Sequence, residues 1–350
     1  MSKLLDLDKD DGILISRTDR LGDLVLALPF VETIKERYPE CRVDVISSLY
    51  ASPILENNRR INKILRVQND QLLVNKLYKK NLLQSICREK YKVVIVLYPE
   101  RQISRLFYKA EIPYRIGTAG RFHSVFFNTH LMHSRKKNLK HEFEYNFDFL
   151  KFFRRGKTIR FPNVYLREKE LKNARRILND AGVKEDFVVI HPGSGGSAER
   201  WPVENFIRLY KLLEKEGVDL VVSGSEQEGA GIEAVCGQLN MPIRKITGET
   251  DLRTLAAVLS LAHVVVANST GPLHLAVAAG TAAVGLYPSR KAMSPLRWGP
   301  LGNSDKVIQP VGVECECPPR RCICMETIKP ERVMTEVLDL LNKTDRKLRL

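Results

Sequence analysis

Along almost all of its length the chain alternates short β-branched runs with amphipathic stretches, and this alternation constrains its fold more than any other feature. Residues 13–16, 42–47 and 93–97 in the first half, and 187–191, 219–223, 264–268 and 283–287 in the second, read as buried strands. Strands covered on both faces are those of parallel sheets with helical crossovers. Helical patterns such as 203–216 and 252–261 follow most of them. The repeat predicts an α/β protein of doubly wound parallel sheets. At 350 residues the chain exceeds one ordinary domain and suits two. A basic stretch, KFFRRGKTIRFP, gives way to a charged helix at 168–181 and marks the boundary. The expected division is a first domain over 1–165, a second over 166–328, and a closing helix in 329–350, where Val333, Val337, Leu338 and Leu341 recur at helical spacing.

The net charge of +15 is carried almost entirely by the first domain. Residues 1–165 hold 31 Lys and Arg against 18 Asp and Glu, whereas residues 166–350 hold 25 against 23. Such asymmetry suits a polyanionic partner: nucleic acid, an anionic membrane surface or a phosphorylated substrate. Nucleic acid is disfavoured, because neither aromatic–basic interleaving nor a helix-turn-helix signal is present. No apolar run approaches the roughly 18 residues of a membrane span. The acidic start, MSKLLDLDKDDG, lacks the apolar core of a secretion signal, so a cytoplasmic chain with reduced thiols is expected.

Three strand-to-helix junctions carry polar and glycine residues where a ligand crevice would lie. ILISRTDRLGDLVLALP (13–29) places Arg17, Asp19 and Asp23 just past a strand's C-terminal end, the ligand-facing side of a doubly wound sheet; Asp23 is equally suited to capping the following helix. VVIHPGSGGSAERWP (188–202) is a glycine-rich turn between a strand and a helix, with Pro202 suited to the first helical position. Backbone amides in such a turn, together with the helix N-terminus, favour phosphate. VVVANSTGPLHLAVAAGT (264–281) repeats the design, with His274 one turn into the helix. Between them, a polar loop after 219–223 bears Glu226 and Glu228, and a carboxylate there can accept ribose hydroxyls.

Taken together, these segments resemble glycosyltransferase family 9, the heptosyltransferases of lipopolysaccharide core assembly. The resemblance rests on Gly22-Asp23 with Leu28-Pro29, His191-Pro192-Gly193-Ser194-Gly195 with Arg200-Trp201-Pro202, Glu228, Thr270-Gly271-Pro272 with His274-Leu275, and Trp298-Gly299-Pro300, in the family's order over nearly the whole chain. It implies a GT-B fold of two Rossmann-like domains facing a central cleft, the first taking the acceptor, the second taking ADP-heptose, and the last helix returning to the first. By the same resemblance Asp23 is the general base that deprotonates the acceptor hydroxyl as it attacks the anomeric carbon with inversion. The donor side would comprise Ser194, Gly195, Gly196, Ser197, Arg200, Glu228, Asn268, Ser269, Thr270, Gly271 and His274. Basic residues of the first domain, Arg17, Arg135, Lys136, Lys137 and Lys140, are the candidates for holding an acidic glycolipid or glycan acceptor. Backbone amides and Arg200 would stabilise the departing diphosphate, so no metal or other cofactor is required. The expected partners are a nucleotide-diphosphate sugar, the acidic acceptor and the cytoplasmic face of the inner membrane.

Two positions depart from the family's pattern. Glu199 stands where the family usually has lysine, and a carboxylate there opposes a diphosphate unless it turns away. Asn268 stands where the family usually has aspartate. These departures keep open a different nucleotide sugar, or a catalytically silent homologue that binds a nucleotide sugar or glycan. Cys315, Cys317, Cys322 and Cys324 form a C-x-C-x₄-C-x-C cluster, tighter than ordinary zinc spacing yet able to offer four thiolates to zinc or iron; a reduced loop is the simpler reading.

Overall fold

The computed structural model describes all residues except 1–3, 6, 121, 185, 197, 239–242, 249, 303–304, 313–314, 316, 318–322 and 349–350. The chain divides into two compact units, Met1–Pro162 and Asn163–Leu350.

The first unit is built on β1 (Gly12–Arg17), β2 (Arg42–Ser48), β3 (Lys63–Val67), β4 (Tyr91–Val96), β5 (Tyr114–Thr118) and β6 (Thr129–Leu131). They form a six-stranded sheet in the order β3-β2-β1-β4-β5-β6, with every pairing parallel. Ile13 lies beside Val43 on one side and Val93 on the other, so the central strand is apolar on both faces and fully buried. Leu14, Val94, Val96, Ile103 and Phe107 form the core of one layer. Each such buried side chain contributes roughly 1.5–3 kcal/mol of transfer free energy.

The second unit carries β7 (Phe187–His191), β8 (Asp219–Gly224), β9 (Lys245–Thr247), β10 (Val264–Asn268), β11 (Ala282–Leu286) and β12 (Lys306–Ile308). Their order is β12-β11-β10-β7-β8-β9, again all parallel. Both sheets reverse their winding direction between two central strands, β1/β4 in the first and β7/β10 in the second. The loops leaving those strands diverge there and open a crevice.

Most expected strands and helices lie within two residues of their observed ends. Two readings change. Glu226 and Glu228 belong to the first turn of the helix Glu226–Gln238 rather than to a loop, and Pro202 is the residue before the helix Val203–Lys215 rather than its first. In the closing helix, Pro330–Leu348, the residues Val333, Val337 and Leu340 are buried in the second unit's own core with Trp201, Phe206, Met325 and Ile328. The helix Val203–Lys215, which follows the glycine loop, is among the elements it packs against.

Candidate functional site

In the first unit, β1 ends at Arg17 and the loop after it meets the loop after β4. Thr18 Oγ1 donates to Glu100 Oε2 at 2.8 Å, and Asn69 Nδ2 donates to the Thr18 carbonyl at 2.8 Å, closing the crevice floor. Arg17 does not face solvent as an acceptor-binding residue would. Its side chain is 1% exposed, and its guanidinium is divided among carboxylates: Nε to Asp19 at 2.8 Å, Nη1 to Glu142 at 3.1 Å, and Nη2 to Asp23. Nη1 also reaches Asn146 Oδ1 at 3.2 Å. Burial opposes the Arg17 charge, but Asp19, Asp23 and Glu142 outweigh it and hold the group firmly protonated.

Asp23 sits in the first turn of the short helix Leu21–Val25 and is 9% exposed. Its side chain is not the N-cap; the cap position is Arg20, without a side-chain cap bond. Burial pushes the Asp23 carboxyl up to about 7, against the pull of Arg17 and with further push from Asp19 and Glu142. A carboxyl poised there can exchange a proton at neutral pH. Glu100 is likewise raised by burial, partly offset by the Thr18 hydroxyl.

The other basic candidates separate. Arg135 is nearly buried, donating from Nε to Glu142 at 3.0 Å and stacking 5.6 Å from the Tyr145 ring, so it is spent on the same acidic cluster as Arg17. Lys140 is exposed and pairs with Asp148 at 2.8 Å; Lys137 is exposed. Lys136 lies in the same 3₁₀ turn, and its side chain is outside the described set.

In the second unit the glycine turn after β7 meets the loop after β10. Gly195 and Gly196 have φ of 50° and 72°, the left-handed region that glycine enters without strain. The amides of this turn already hold an anion. Glu228 Oε1 accepts from the Ser194 N–H at 3.1 Å, and the Gly195 amide also donates to that carboxylate. Oε2 accepts from Ser225 N at 2.9 Å. A Cβ on Gly193 would stand 2.2 Å from Glu228 Oε1, so only glycine admits this contact. Burial would raise the Glu228 carboxyl, but the hydrogen bonds from Ser225 and Gly195 and neighbouring His191 hold it below the usual glutamate value. His191 is buried, its pKa depressed by burial, with Nδ1 3.0 Å from Ser223 Oγ. Ser194 Oγ accepts from Arg200 Nε at 2.8 Å and from the Gly196 amide at 3.3 Å.

Asn268, fully buried, holds the two loops together: its Oδ1 accepts from the Trp201 amide at 2.9 Å and its Nδ2 donates to the Pro192 carbonyl at 2.8 Å. It is a bracket rather than a surface for ligand. The Ser269 amide is committed to the Leu286 carbonyl at 3.1 Å. Thr270 and Gly271 open the helix Gly271–Ala278, whose N-terminus carries partial positive charge, and His274 is buried within it. Ser197 lies outside the described residues.

Glu199 has turned inward. It is 7% exposed and stands 3.5 Å from Arg290 Nη2, so its carboxylate is neutralised by a residue that no local pattern marked. Sequence reasoning also missed Glu100, Glu142 and Asn146. Glu100 follows β4 at the switch point and was findable from topology; Glu142 contacts Arg17 across 125 positions, with no local signal. Cys315, Cys317 and Cys324 come together; Cys322 lies outside the described residues.

A family model described as glycosyltransferase family 9 (heptosyltransferase) matches residues 80–324. Lipopolysaccharide heptosyltransferase 3 of Escherichia coli is 23% identical over 294 residues, covering 81% of this chain and 84% of that one. Among solved structures, E. coli ADP-heptose lps heptosyltransferase II superposes with a TM-score of 0.79 at 22% identity, over 96% of this chain and 99% of that one. E. coli heptosyltransferase WaaC with ADP gives 0.70 at 17% identity, over 94% and 99%. The fold is thus that of GT-B heptosyltransferases, two Rossmann-like units in one chain.

Proposed function

Since the chain belongs to glycosyltransferase family 9, we propose that this glycosyltransferase moves heptose from ADP-heptose to an acidic lipopolysaccharide core acceptor, with inversion and without a catalytic metal. The observation that carries the reading is the place of Asp23, a buried carboxyl paired with Arg17 just past the first strand, at the switch point of the first sheet. In this reading Asp23 takes the acceptor hydroxyl proton while that oxygen bonds to the anomeric carbon from the face opposite the leaving group. The carbon–oxygen bond to the diphosphate breaks, and the diphosphate leaves with the electron pair. Positioned carboxylates of this kind contribute roughly 10²–10⁴-fold.

On the donor side, the helix N-terminus at Gly271, the glycine-turn amides and Arg200 would stabilise the departing charge. Glu228 now holds two of those amides, so a diphosphate would have to displace it or share them. ADP bound to WaaC, a relative in fold, supports ADP as the nucleotide. Arg17 and Arg135, sequestered by Glu142, are assigned here to positioning Asp23, leaving Lys137 and Lys140 for the acceptor.

Peripheral contact with the cytoplasmic face of the inner membrane fits a second feature. Lys76, Lys79, Lys80, Arg105 and Lys109 line a depression of about 330 Å³ in the first unit, floored by Leu72, Leu83 and Leu106 and without a lining carboxylate. Leu73, Val74 and Leu77, which neighbour the lining residues Leu72 and Lys76 along the chain, are exposed. Cations beside protruding apolar side chains suit an anionic bilayer surface. No helix among the described residues is long and apolar enough to cross a membrane.

The test of function is a transfer assay with ADP-heptose and a core oligosaccharide acceptor, with the anomeric configuration of the product read by NMR. Retention of configuration, or transfer only from another nucleotide sugar, would sink the corresponding part of the proposal.

A further inference from the structure

We propose that Cys315, Cys317 and Cys324 bind one thiophilic divalent cation, zinc or ferrous iron, and that this ion is structural, locking the tail segment against the loop that follows the glycine turn. The three Sγ atoms all lie within 4.8 Å of one another. Three thiolates around a tetrahedral ion with metal–sulfur bonds of about 2.3 Å stand roughly 3.8 Å apart, so the thiols need only a small contraction to close on it. All three offer sulfur, and thiolates are the ligands that select zinc and iron over harder cations.

The surroundings suit a structural ion. Cys324 is 2% exposed and lies in the 3₁₀ turn Ile323–Thr327, beside Met325 in the second unit's core, so one ligand is anchored by packing. Cys315 and Cys317 are half-buried, which leaves a route for the ion to enter. Ion binding exchanges thiol protons for the metal: each cysteine that coordinates does so as thiolate, and its proton goes to solvent.

The cluster reaches the donor-side loops through two contacts. Arg290 Nη2 donates to the Cys317 carbonyl at 3.1 Å, and the same nitrogen is 3.5 Å from Glu199 Oε1. Past the cluster, the Ile328 carbonyl accepts from Trp201 Nε1 at 3.0 Å. One end of the segment therefore reaches Glu199 through Arg290, and the other holds Trp201 directly, on either side of Arg200 in the loop. Fixing the cysteines fixes Arg290, and Arg290 keeps the Glu199 carboxylate buried and neutralised.

The test uses the full chain, purified without added metal under reducing conditions. Elemental analysis should find about one equivalent of zinc or iron. Cobalt(II) added after chelation should give an intense sulfur-to-cobalt charge-transfer band. Cys317→Ser, at a half-buried position that should tolerate it, should lose both metal and band while keeping the parent's far-ultraviolet circular dichroism. A chelator should lower the melting temperature of the parent and leave that of Cys317→Ser unmoved, since an ion bound only to the folded state stabilises it by mass action. A parent chain with substoichiometric metal and no cobalt band would overturn the proposal. So would mass spectrometry of the alkylated chain showing two of these cysteines oxidised to a disulfide. None of these readouts depends on transfer activity, so the metal site and the proposed reaction stand or fall separately.

Discussion

Arg17 and Asp23 form an ion pair beneath the surface of the first unit, with side chains 1% and 12% exposed. The arginine lowers the carboxyl's pKa while burial raises it, and burial prevails. The pair thus leaves the Asp23 carboxyl above the usual aspartate range, where an exposed ion pair would lower it.

The pH dependence of transfer follows. If Asp23 must be ionised to accept a proton, kcat/KM should rise with pH and level off above about 7. Asp23→Asn should reduce transfer by about 10²-fold or more and abolish that limb, with nucleotide binding by titration nearly unchanged. The same shift bears on stability. A carboxyl whose folded pKa lies above its unfolded value stabilises the fold most below about pH 4, and this contribution is lost as pH rises through about 7. Thermal unfolding of the parent between those values should show the decline, and Asp23→Asn should flatten it.

Arg17 is argued to act through Asp23 without touching substrate. Arg17→Gln removes the charge that lowers the Asp23 pKa, so the ascending limb should move to higher pH; Arg17→Lys should keep it near its parental position. Removing one partner of a buried pair costs on the order of 3–5 kcal/mol, so Arg17→Gln is measured well below its melting temperature. An unmoved limb in a folded Arg17→Gln would exclude the positioning role.

For Glu199, burial against Arg290 reverses the expectation drawn from its residue type. Glu199→Lys, which restores the family's usual lysine, would set two cations face to face in a nearly closed site. It should lower stability by about 3–5 kcal/mol and give no gain in ADP affinity by isothermal titration. Tighter ADP binding by Glu199→Lys at low salt would show that position 199 can face the donor.

Asn268→Asp keeps an acceptor for the Trp201 amide but removes the donor to the Pro192 carbonyl. The loss should cost about 1–3 kcal/mol at neutral pH. A fully buried aspartate has a raised pKa and, when protonated, can donate again. The deficit should therefore be small below about pH 4 and grow as pH rises through the raised pKa, as followed by chemical denaturation across pH. A deficit independent of pH would mean that the loops rearrange around the aspartate.

The basic depression should govern membrane association. Lys76→Glu combined with Lys80→Glu should weaken sedimentation with phosphatidylglycerol-containing vesicles, each cation near the surface contributing about 1 kcal/mol. Binding should fall with added salt, and transfer to a soluble acceptor fragment should be unaffected. Equal loss of transfer to the soluble fragment would reassign the depression to the acceptor site.

Much of the architecture was legible in the sequence because its causes are local. Strands such as Val264–Asn268 are apolar runs that only a doubly covered sheet can bury, and the turn at Gly195 and Gly196 needs residues that enter positive φ. The position of Asp23 after the first strand was likewise readable, since a parallel sheet directs such junctions to one edge. What those residues do electrostatically was decided elsewhere. Arg17 reads as a cation for an acidic acceptor until Glu142 reaches it across 125 positions, Glu199 reads as an obstacle until Arg290 pairs with it, and Glu228 reads as a loop carboxylate until it closes on the Ser194 amide. Periodicity and turn chemistry depend on neighbours along the chain, whereas a buried charge takes its state from whichever groups the fold brings within a few ångströms, and that choice is made only in three dimensions.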